Sequence, residues 1–133
     1  MTAIVVDTSA IIAIVRNEPE KDRFTDVILG ATPGFISAVS LQEAYMVLAG
    51  HDGTEDRWST LPELIAALGL EIVPHDAASA RAAGQAFLRF GKGRHRARLN
   101  FGDRASYAMA KAHGLKLLFK GGDFPETDVE PAV

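Results

Sequence analysis

Four acidic residues stand where apolar segments of the chain end, and together they suggest a site for a divalent cation. They are Asp7, Glu43, Asp103 and Asp123. Carboxylates about 4 Å apart repel each other by roughly 4 kcal/mol at an effective dielectric constant near 20, so a group of them must bind protons or recruit a cation. Oxygen ligands, with no cysteine in the chain and no histidine close by, favour Mg²⁺ or Mn²⁺ over Zn²⁺.

A divalent cation at such a site would favour hydrolysis of a phosphodiester. It can activate a water molecule and stabilise the leaving oxygen, and this chemistry needs no side-chain nucleophile. Ser9 and Asn100 lie near Asp7 and Asp103 in sequence. These two polar side chains could hold a bound water or a ligand carboxylate in place.

Each acid also has a structural alternative. Asp7 can cap the helix that follows it, and Glu43 completes a Ser-x-x-Glu capping box that begins at Ser40. Asp103 can interact with the dipole of a helix N-terminus, and Asp123 can be a turn residue. These alternatives explain each acid singly, but not why all four fall at one edge of the predicted sheet.

The predicted elements alternate between strand and helix. Apolar β-branched runs indicate strands at 3–6, 35–37, 70–73 and 115–119, with an edge strand at 128–129. Helical patterns cover 8–16, 19–29, 40–48, 54–68, 76–90 and 100–113, the fourth starting near Glu55 or at Pro62, after a turn at 51–54. Inward-facing residues are expected to be Ala80, Ala83, Phe87 and Phe90 in the fifth helix, and Ala105, Ala108, Met109 and Ala112 in the last.

This alternation predicts βαβ units and a single domain over residues 1–133, a three-layer α/β/α sandwich with a mostly parallel central sheet. Right-handed crossovers would place the carboxyl ends of the strands at one edge, where open α/β sheets bind their ligands. The four acids are therefore expected to converge there.

Composition excludes several classes of site. The chain of 133 residues contains no cysteine, which rules out disulfides and thiolate metal sites and is compatible with a cytoplasmic location. The apolar N-terminal stretch is interrupted by Asp7 and is too short to cross a bilayer, so we expect core and no membrane association. No P-loop motif occurs. A haloacid-dehalogenase-like phosphatase needs a second Asp two residues after the first, where this chain has Ser9.

A basic segment precedes Asp103. Although the net charge is −3, five basic residues and no acid occur between positions 89 and 98, namely Arg89, Lys92, Arg94, Arg96 and Arg98. Such a segment could bring a phosphate backbone to an acidic site that otherwise repels it. The alternative is a solvated, mobile loop.

Four blocks of sequence occur in the order typical of one family. They are Val5-Val6-Asp7-Thr8-Ser9-Ala10, Ser37-Ala38-Val39-Ser40-Leu41-Gln42-Glu43, Leu99-Asn100-Phe101-Gly102-Asp103 and Leu117-Leu118-Phe119-Lys120-Gly121-Gly122-Asp123-Phe124. Together they resemble PIN-domain ribonucleases and, more narrowly, the VapC toxins of bacterial VapBC toxin-antitoxin pairs. The resemblance extends from about Ile4 to Pro131 and implies that the single domain over residues 1–133 is PIN-like.

The resemblance implies a Mg²⁺-dependent endoribonuclease, with Mn²⁺ as a possible substitute, that cuts structured RNA such as transfer RNA or a ribosomal RNA loop. Asp7 and Asp103 would be the principal ligands, Glu43 a ligand or a water-positioning acid, and Asp123 a looser contributor. It also implies a homodimer neutralised by a VapB-like antitoxin. The alternative is a catalytically silent PIN-like module that binds RNA or protein.

Two departures from the family pattern stand out. Many relatives carry Thr-x-Asp before the final Asp-Phe, whereas this chain has Phe119-Lys120-Gly121, which argues against a complete second metal site. Arg104 follows Asp103 where relatives often have a small or apolar residue. It is a candidate for contact with RNA or with an acid of the antitoxin.

Overall fold

A parallel sheet forms the centre of the computed structural model, which describes residues 2–52 and 56–133. Its strands are β1 (Ile4–Val6), β2 (Gly34–Ser37), β3 (Glu71–Val73) and β4 (Lys116–Leu118), in the spatial order β3-β2-β1-β4. Val5 of β1 is in register with Phe35 on one side and Leu117 on the other. All pairings are parallel, so the carboxyl ends of the strands share one edge, as the sequence predicted.

Helices pack on both faces of this sheet. They are α1 (Thr8–Val15), α2 (Lys21–Gly30), α3 (Ala38–Asp52), α4 (Asp56–Ala67), α5 (Ala77–Phe90) and α6 (Phe101–His113), and a short 3₁₀ turn covers Phe124–Glu126. Ile4 and Val6 pack into one apolar cluster with residues of α1 to α4. Val5 points the other way, into a cluster built on α5 and α6. The alternation of side chains along β1 thus produces the three layers that the sequence predicted.

The third helix begins two residues earlier than expected. The backbone N–H of Val39 donates to the Ser37 hydroxyl at 3.1 Å, and the helix starts at Ala38. Ser40 is therefore inside the helix and fully buried, so the predicted capping box between Ser40 and Glu43 is wrong. α3 also runs on through His51 and Asp52, where a turn was predicted. The rest of that turn, and the predicted helix start near Glu55, lie outside the described residues.

The fourth helix passes through Pro62 rather than starting there. Leu61 and Ile65, on either side of the proline, are buried in the core. Their burial offsets the backbone hydrogen bond that a proline inside a helix cannot make. Packing of these two residues therefore keeps α4 continuous through Pro62.

Three smaller expectations fail wholly or in part. In α5 Phe90 is buried as predicted, but Ala80 is exposed and Phe87 is only half-buried, and Ala86 is buried instead. In α6 Ala105 and Ala108 are buried as predicted, but Ala112 is exposed. No strand forms at 128–129. Instead, Leu117 pairs with Pro131 in a single parallel bridge.

None of the helices in the described part of the chain has both the length and the apolar character needed to span a membrane.

Candidate active site

Asp7 connects the central strand to the first helix. Its backbone N–H donates to the carbonyl of Leu118 at 2.9 Å, which continues the pairing of β1 with β4. Its Oδ2 accepts hydrogen bonds from the backbone N–H of Ser9 at 3.0 Å and from the Ser9 hydroxyl at 2.7 Å. Asp7 is therefore a helix cap as well as an acid at the strand tip, and it is only 1% exposed.

The other oxygen of Asp7 is held from α6. The Ser106 hydroxyl donates to Oδ1 at 2.7 Å and lies 2.9 Å from the Ser40 hydroxyl. Since the proton of Ser106 is given to Asp7, Ser40 must be the donor to Ser106. All three residues are buried. Sequence reasoning missed Ser106, although a serine one helical turn after Asp103 was a signal that could have been used.

Asp103 and Asn100 form the capping box of α6. The Asn100 Oδ1 accepts from the backbone N–H of Asp103 at 2.8 Å, and the Asp103 Oδ2 accepts from the backbone N–H of Asn100 at 3.1 Å. This reciprocal pair fixes the Asp103 carboxyl at the helix N-terminus, where the dipole favours negative charge. Asn100 lies where the sequence placed it, next to the acid.

Glu43 reaches the same helix end from α3. A Cβ atom placed on Gly102 would lie only 2.2 Å from the Glu43 Oε1 and 2.6 Å from its Cδ. The Glu43 carboxyl thus lies directly against the backbone of the first turn of α6, a close approach that only glycine permits. Gly102 is a second site residue that sequence reasoning missed. A glycine in the first turn of a helix was the available signal.

Three of the four predicted acids face one pocket. Asp7, Glu43 and Asp103 line a cavity of 290 Å³, here called the acidic pocket. Its other lining residues include the predicted Ser9 and Asn100, a further acid, Glu18, and two basic residues, Arg16 and Lys120. Asp123 is exposed and does not line this cavity, although its charge is close enough to act on Asp103. The structure therefore brings three acids together and leaves Asp123 at the margin.

The three predicted acids that line the pocket have raised pKa values, so they bind protons more tightly than in water. Burial raises the pKa of Asp103 to about 7, with a further contribution from the charge of Asp7 and smaller ones from Glu43 and Asp123. Burial also raises the pKa of Asp7, although the hydrogen bonds from Ser106 and Ser9 oppose it. Burial likewise raises the pKa of Glu43, against the effect of the Thr8 hydroxyl. The pocket therefore holds carboxyl groups whose charged forms are disfavoured by burial and by one another.

Comparison with known proteins places this chain in a family. A model of the PIN domain matches residues 4–130. The chain belongs to the PIN-domain family. Its relatives include ribonuclease VapC36 of Mycobacterium tuberculosis, 41% identical over 96% of this chain and 91% of that protein. Ribonuclease VapC of Mycolicibacterium smegmatis is 40% identical over 95% of this chain and 97% of the relative. At these identities the PIN domain described here is a member of the VapC ribonuclease family.

Solved structures share the fold of this PIN domain at much lower identity. VapC20 of Mycobacterium tuberculosis, described as a sarcin-ricin loop cleaving toxin, superimposes with a TM-score of 0.71 at 19% identity over 96% of this chain and 99% of that chain. VapBC2 of Rickettsia felis, solved with a DNA fragment from its promoter, gives 0.73 at 16% identity over 98% and 96%. These likenesses confirm the α/β fold.

The acidic pocket offers the kind of donor atom that a hard divalent cation prefers. Three carboxylates with raised pKa values offer only oxygen, as Mg²⁺ and Mn²⁺ prefer. Both oxygens of Asp7 already accept hydrogen bonds from serine. Across residues 2–52 and 56–133, no three acidic or histidine side chains form a ready-made ligand set. The pocket thus supplies the right chemistry without a closed set of ligands.

The basic loop of this PIN domain has a defined conformation. Lys92 N–H donates to the Leu99 carbonyl at 3.0 Å, and Leu99 N–H donates to the Phe90 carbonyl at 2.9 Å. Ala97 and Leu99 are fully buried and anchor the loop. The predicted RNA-contacting residues all remain exposed, namely Lys92, Arg94, Arg96 and Arg98. One of them is paired, because the Arg96 Nε lies 2.9 Å from the Glu126 Oε2.

The raised pKa of Asp103 predicts that the metal-free protein becomes more stable as the pH falls. Between the unfolded value near 4 and the folded value of about 7, the native state holds a proton that the unfolded chain has lost, so stability decreases as pH rises. Lowering the pH from 8 to 5.5 should add about 2 kcal/mol, or roughly 6 °C in melting temperature. Melts in a chelator measure this gain, and Asp103→Asn should reduce it. A flat profile in the wild type would contradict the raised pKa.

Proposed function

We propose that this PIN domain is a metal-dependent endoribonuclease, the toxin of a type II toxin-antitoxin pair. The observation that carries the proposal is the pocket in which Asp7, Glu43 and Asp103 meet. Its relatives at 40–41% identity are named ribonucleases, which supports RNA as the substrate class. The proposed reaction is hydrolysis of a phosphodiester, in which water attacks phosphorus and the P–O bond to the leaving nucleotide breaks.

Mg²⁺, or Mn²⁺ in its place, would be held by Asp7 and Asp103, with Glu43 as a further ligand or as the acid that orients the attacking water. The bound ion would lower the pKa of a water and stabilise the leaving oxygen. The protein's own contribution is to fix the ligands. Ser9 and Ser106 hold both oxygens of Asp7. Asn100 holds Asp103, and Asp123 adds negative charge from the margin.

We propose that one ion is sufficient. Lys120 lies on the rim of the pocket, in the stretch where many relatives have Thr-x-Asp. Its Nζ lies 3.0 Å from the Glu18 Oε1 and 3.1 Å from the Glu20 Oε1, so it neutralises acids that could otherwise bind a second ion. These ion pairs support a site for a single ion, built on Asp7, Glu43 and Asp103 of the acidic pocket.

The proposed substrate is structured RNA, and the proposed partners are a VapB-like antitoxin and a second copy of the chain. VapC20, which shares the fold, is described as cleaving the sarcin-ricin loop, and other neighbours of the same fold were solved as toxin-antitoxin complexes. The exposed basic loop next to α6 supports an RNA partner, because its charges can bind phosphates near the acidic pocket.

The experiment that tests the function is cleavage of structured RNA by purified protein free of antitoxin. Wild-type protein should cleave transfer RNA or a ribosomal RNA hairpin with Mg²⁺ or Mn²⁺, and a chelator should stop it. Asp7→Asn, purified identically, should be inactive, so equal cleavage by both would indicate a contaminating nuclease. If the wild type cleaves none of several RNAs, the catalytically silent binding module becomes the better interpretation.

The basic loop should contribute to RNA binding in proportion to its free charges. Arg98→Ala should weaken binding and reduce the slope of log K against log salt by about 1, since one phosphate contact is lost. Arg96→Ala should have a smaller effect, because Glu126 already neutralises that side chain. Titrations of the Asp7→Asn protein with RNA at several salt concentrations measure both slopes. Unchanged slopes for both variants would assign the loop to another partner.

A further inference from the structure

The first turn of α6 contributes to a second pocket as well as to the acidic one. Phe101 follows Asn100 directly and is 69% exposed, although it is a large aromatic residue. It lines a groove of 520 Å³ together with Phe87, Arg104, Gly84, His75 and two alanines. Asn100 and Asp103, on either side of Phe101 in sequence, line the acidic pocket. The two pockets are thus joined through one helical turn.

Aromatic rings and guanidinium groups are stacked in this groove. The Arg104 guanidinium carbon lies 5.0 Å from the centre of the Phe87 ring and 5.9 Å from that of Phe101. Arg94, from the basic loop, lies 5.6 Å from the Phe87 ring. The Arg104 Nη1 also donates to the Leu99 carbonyl at 2.7 Å, which fixes its position. The face therefore offers flat apolar surfaces with positive charge beside them.

This combination matches the chemistry of unpaired nucleotides. A base stacks on an aromatic ring or a guanidinium plane, and the adjoining phosphate binds the arginine charge. No acid is among the described residues that line the groove. The groove is open at Gly84 of α5, because a Cβ atom added to this glycine would meet no atom within 4 Å. An apolar protein segment would use the rings but would leave the arginine charges without partners.

We propose that the groove lined by Phe87, Phe101 and Arg104, with Arg94 beside the Phe87 ring and here called the stacking groove, binds an unpaired nucleotide of the RNA. The base stacks on Phe101, and the flanking phosphate contacts Arg104 and Arg94. This inference rests on the proposed nuclease function and extends it: a nucleotide held at Phe101 positions the neighbouring phosphodiester at the acidic pocket. The preferred substrate is therefore RNA with an extruded or single-stranded base, rather than a continuous duplex.

Binding of a labelled RNA hairpin tests the stacking groove directly. The Asp7→Asn protein, which leaves the RNA intact, is titrated in a chelator with a hairpin that carries 2-aminopurine in its loop. Phe101→Ala should weaken binding about 10-fold, the loss of one stacked base, and remove the fluorescence quenching, whereas Phe101→Trp should keep both. Met46→Ala is the matched control, because Met46 is 63% exposed on α3 and does not line the groove. Equal affinity and quenching in Phe101→Ala and Met46→Ala would overturn the proposal.

A second variant blocks the groove without removing a contact. Gly84→Met places a side chain in the open space and replaces a glycine inside a helix, so the melting temperature should stay the same or rise. RNA binding should nevertheless fall by a factor similar to that of Phe101→Ala. Undiminished binding by a folded Gly84→Met protein would overturn the groove as the binding surface.

Two parallel measurements separate this inference from its rivals. Sedimentation of each variant reports whether Phe101 mediates self-association. A weaker dimer together with unchanged RNA affinity per folded monomer would overturn the proposal in favour of a subunit interface. Cleavage with Mg²⁺ reports on the nuclease itself. If the wild type is active and Phe101→Ala has an unaltered KM, the stacking groove is rejected and the nuclease function stands. If the wild type is inactive but its RNA binding still depends on Phe101, the stacking groove is supported and the nuclease function is rejected.

Discussion

Replacing Asp103 with asparagine will lower the rate of RNA cleavage by more than about 100-fold while leaving the metal-free protein at least as stable as the wild type. Residues that merely orient metal ligands typically contribute 10- to 100-fold, so a direct ligand should contribute more. Stability is spared because an asparagine Oδ1 can still accept the Asn100 N–H and preserve the capping box. The substitution also removes a charge that burial and the Asp7 carboxylate disfavour.

Asp128→Asn is the matched control for that variant. The pKa of Asp128 is lowered by its hydrogen bond from the Tyr107 hydroxyl, with Lys111 and Arg89 adding to the effect, so its ionised form stabilises the fold. Asp128→Asn should therefore lower the melting temperature in a chelator and leave cleavage unchanged. A clear loss of stability in Asp103→Asn under the same conditions would contradict the assignment of a repelling carboxylate cluster.

The sequence predicted those parts of the site that depend on local signals. A β-branched run ending in Asp7 defines a buried strand with an acid at its tip, and the structure has both. The helical pattern over 100–113 corresponds to α6, which Asn100 caps and which ends at Gly114, a residue in the left-handed conformation. Such signals lie within a few residues of the feature they determine, so they survive whatever the rest of the chain does.

The parts that failed depend on contacts distant in the chain. Ser40-x-x-Glu43 matches a capping box, but Ser37 already caps α3, and Ser40 instead contacts Ser106, 66 residues away. No local pattern distinguishes these two uses of one serine. The alanine-rich α5 presents small residues on several sides, so its buried face is chosen by packing against α6 rather than by its own periodicity.

Gly102→Ala will reduce RNA cleavage at least about 10-fold with little change in stability. The new Cβ would lie 2.2 Å from the Glu43 Oε1, so the carboxyl must leave its place over the α6 N-terminus. Moving the end of a flexible side chain costs little, and alanine favours a helix by roughly 0.5–1 kcal/mol over glycine. The activity loss should therefore come from a displaced acid in a folded protein, which cleavage rates and melting curves together would show.

A double-mutant cycle decides whether Glu43 is the reason. If Gly102→Ala acts by displacing the Glu43 carboxyl, adding Glu43→Gln should cost almost nothing further, since the two substitutions remove the same interaction. Gly30→Ala is the control, because a Cβ at the end of α2 meets no atom within 4 Å and should leave the rate unchanged. Additive losses would mean that Gly102 acts on another part of the site. In that event the position of the Glu43 carboxyl would not depend on its contact with Gly102, and the close approach of α3 to α6 would have no part in catalysis.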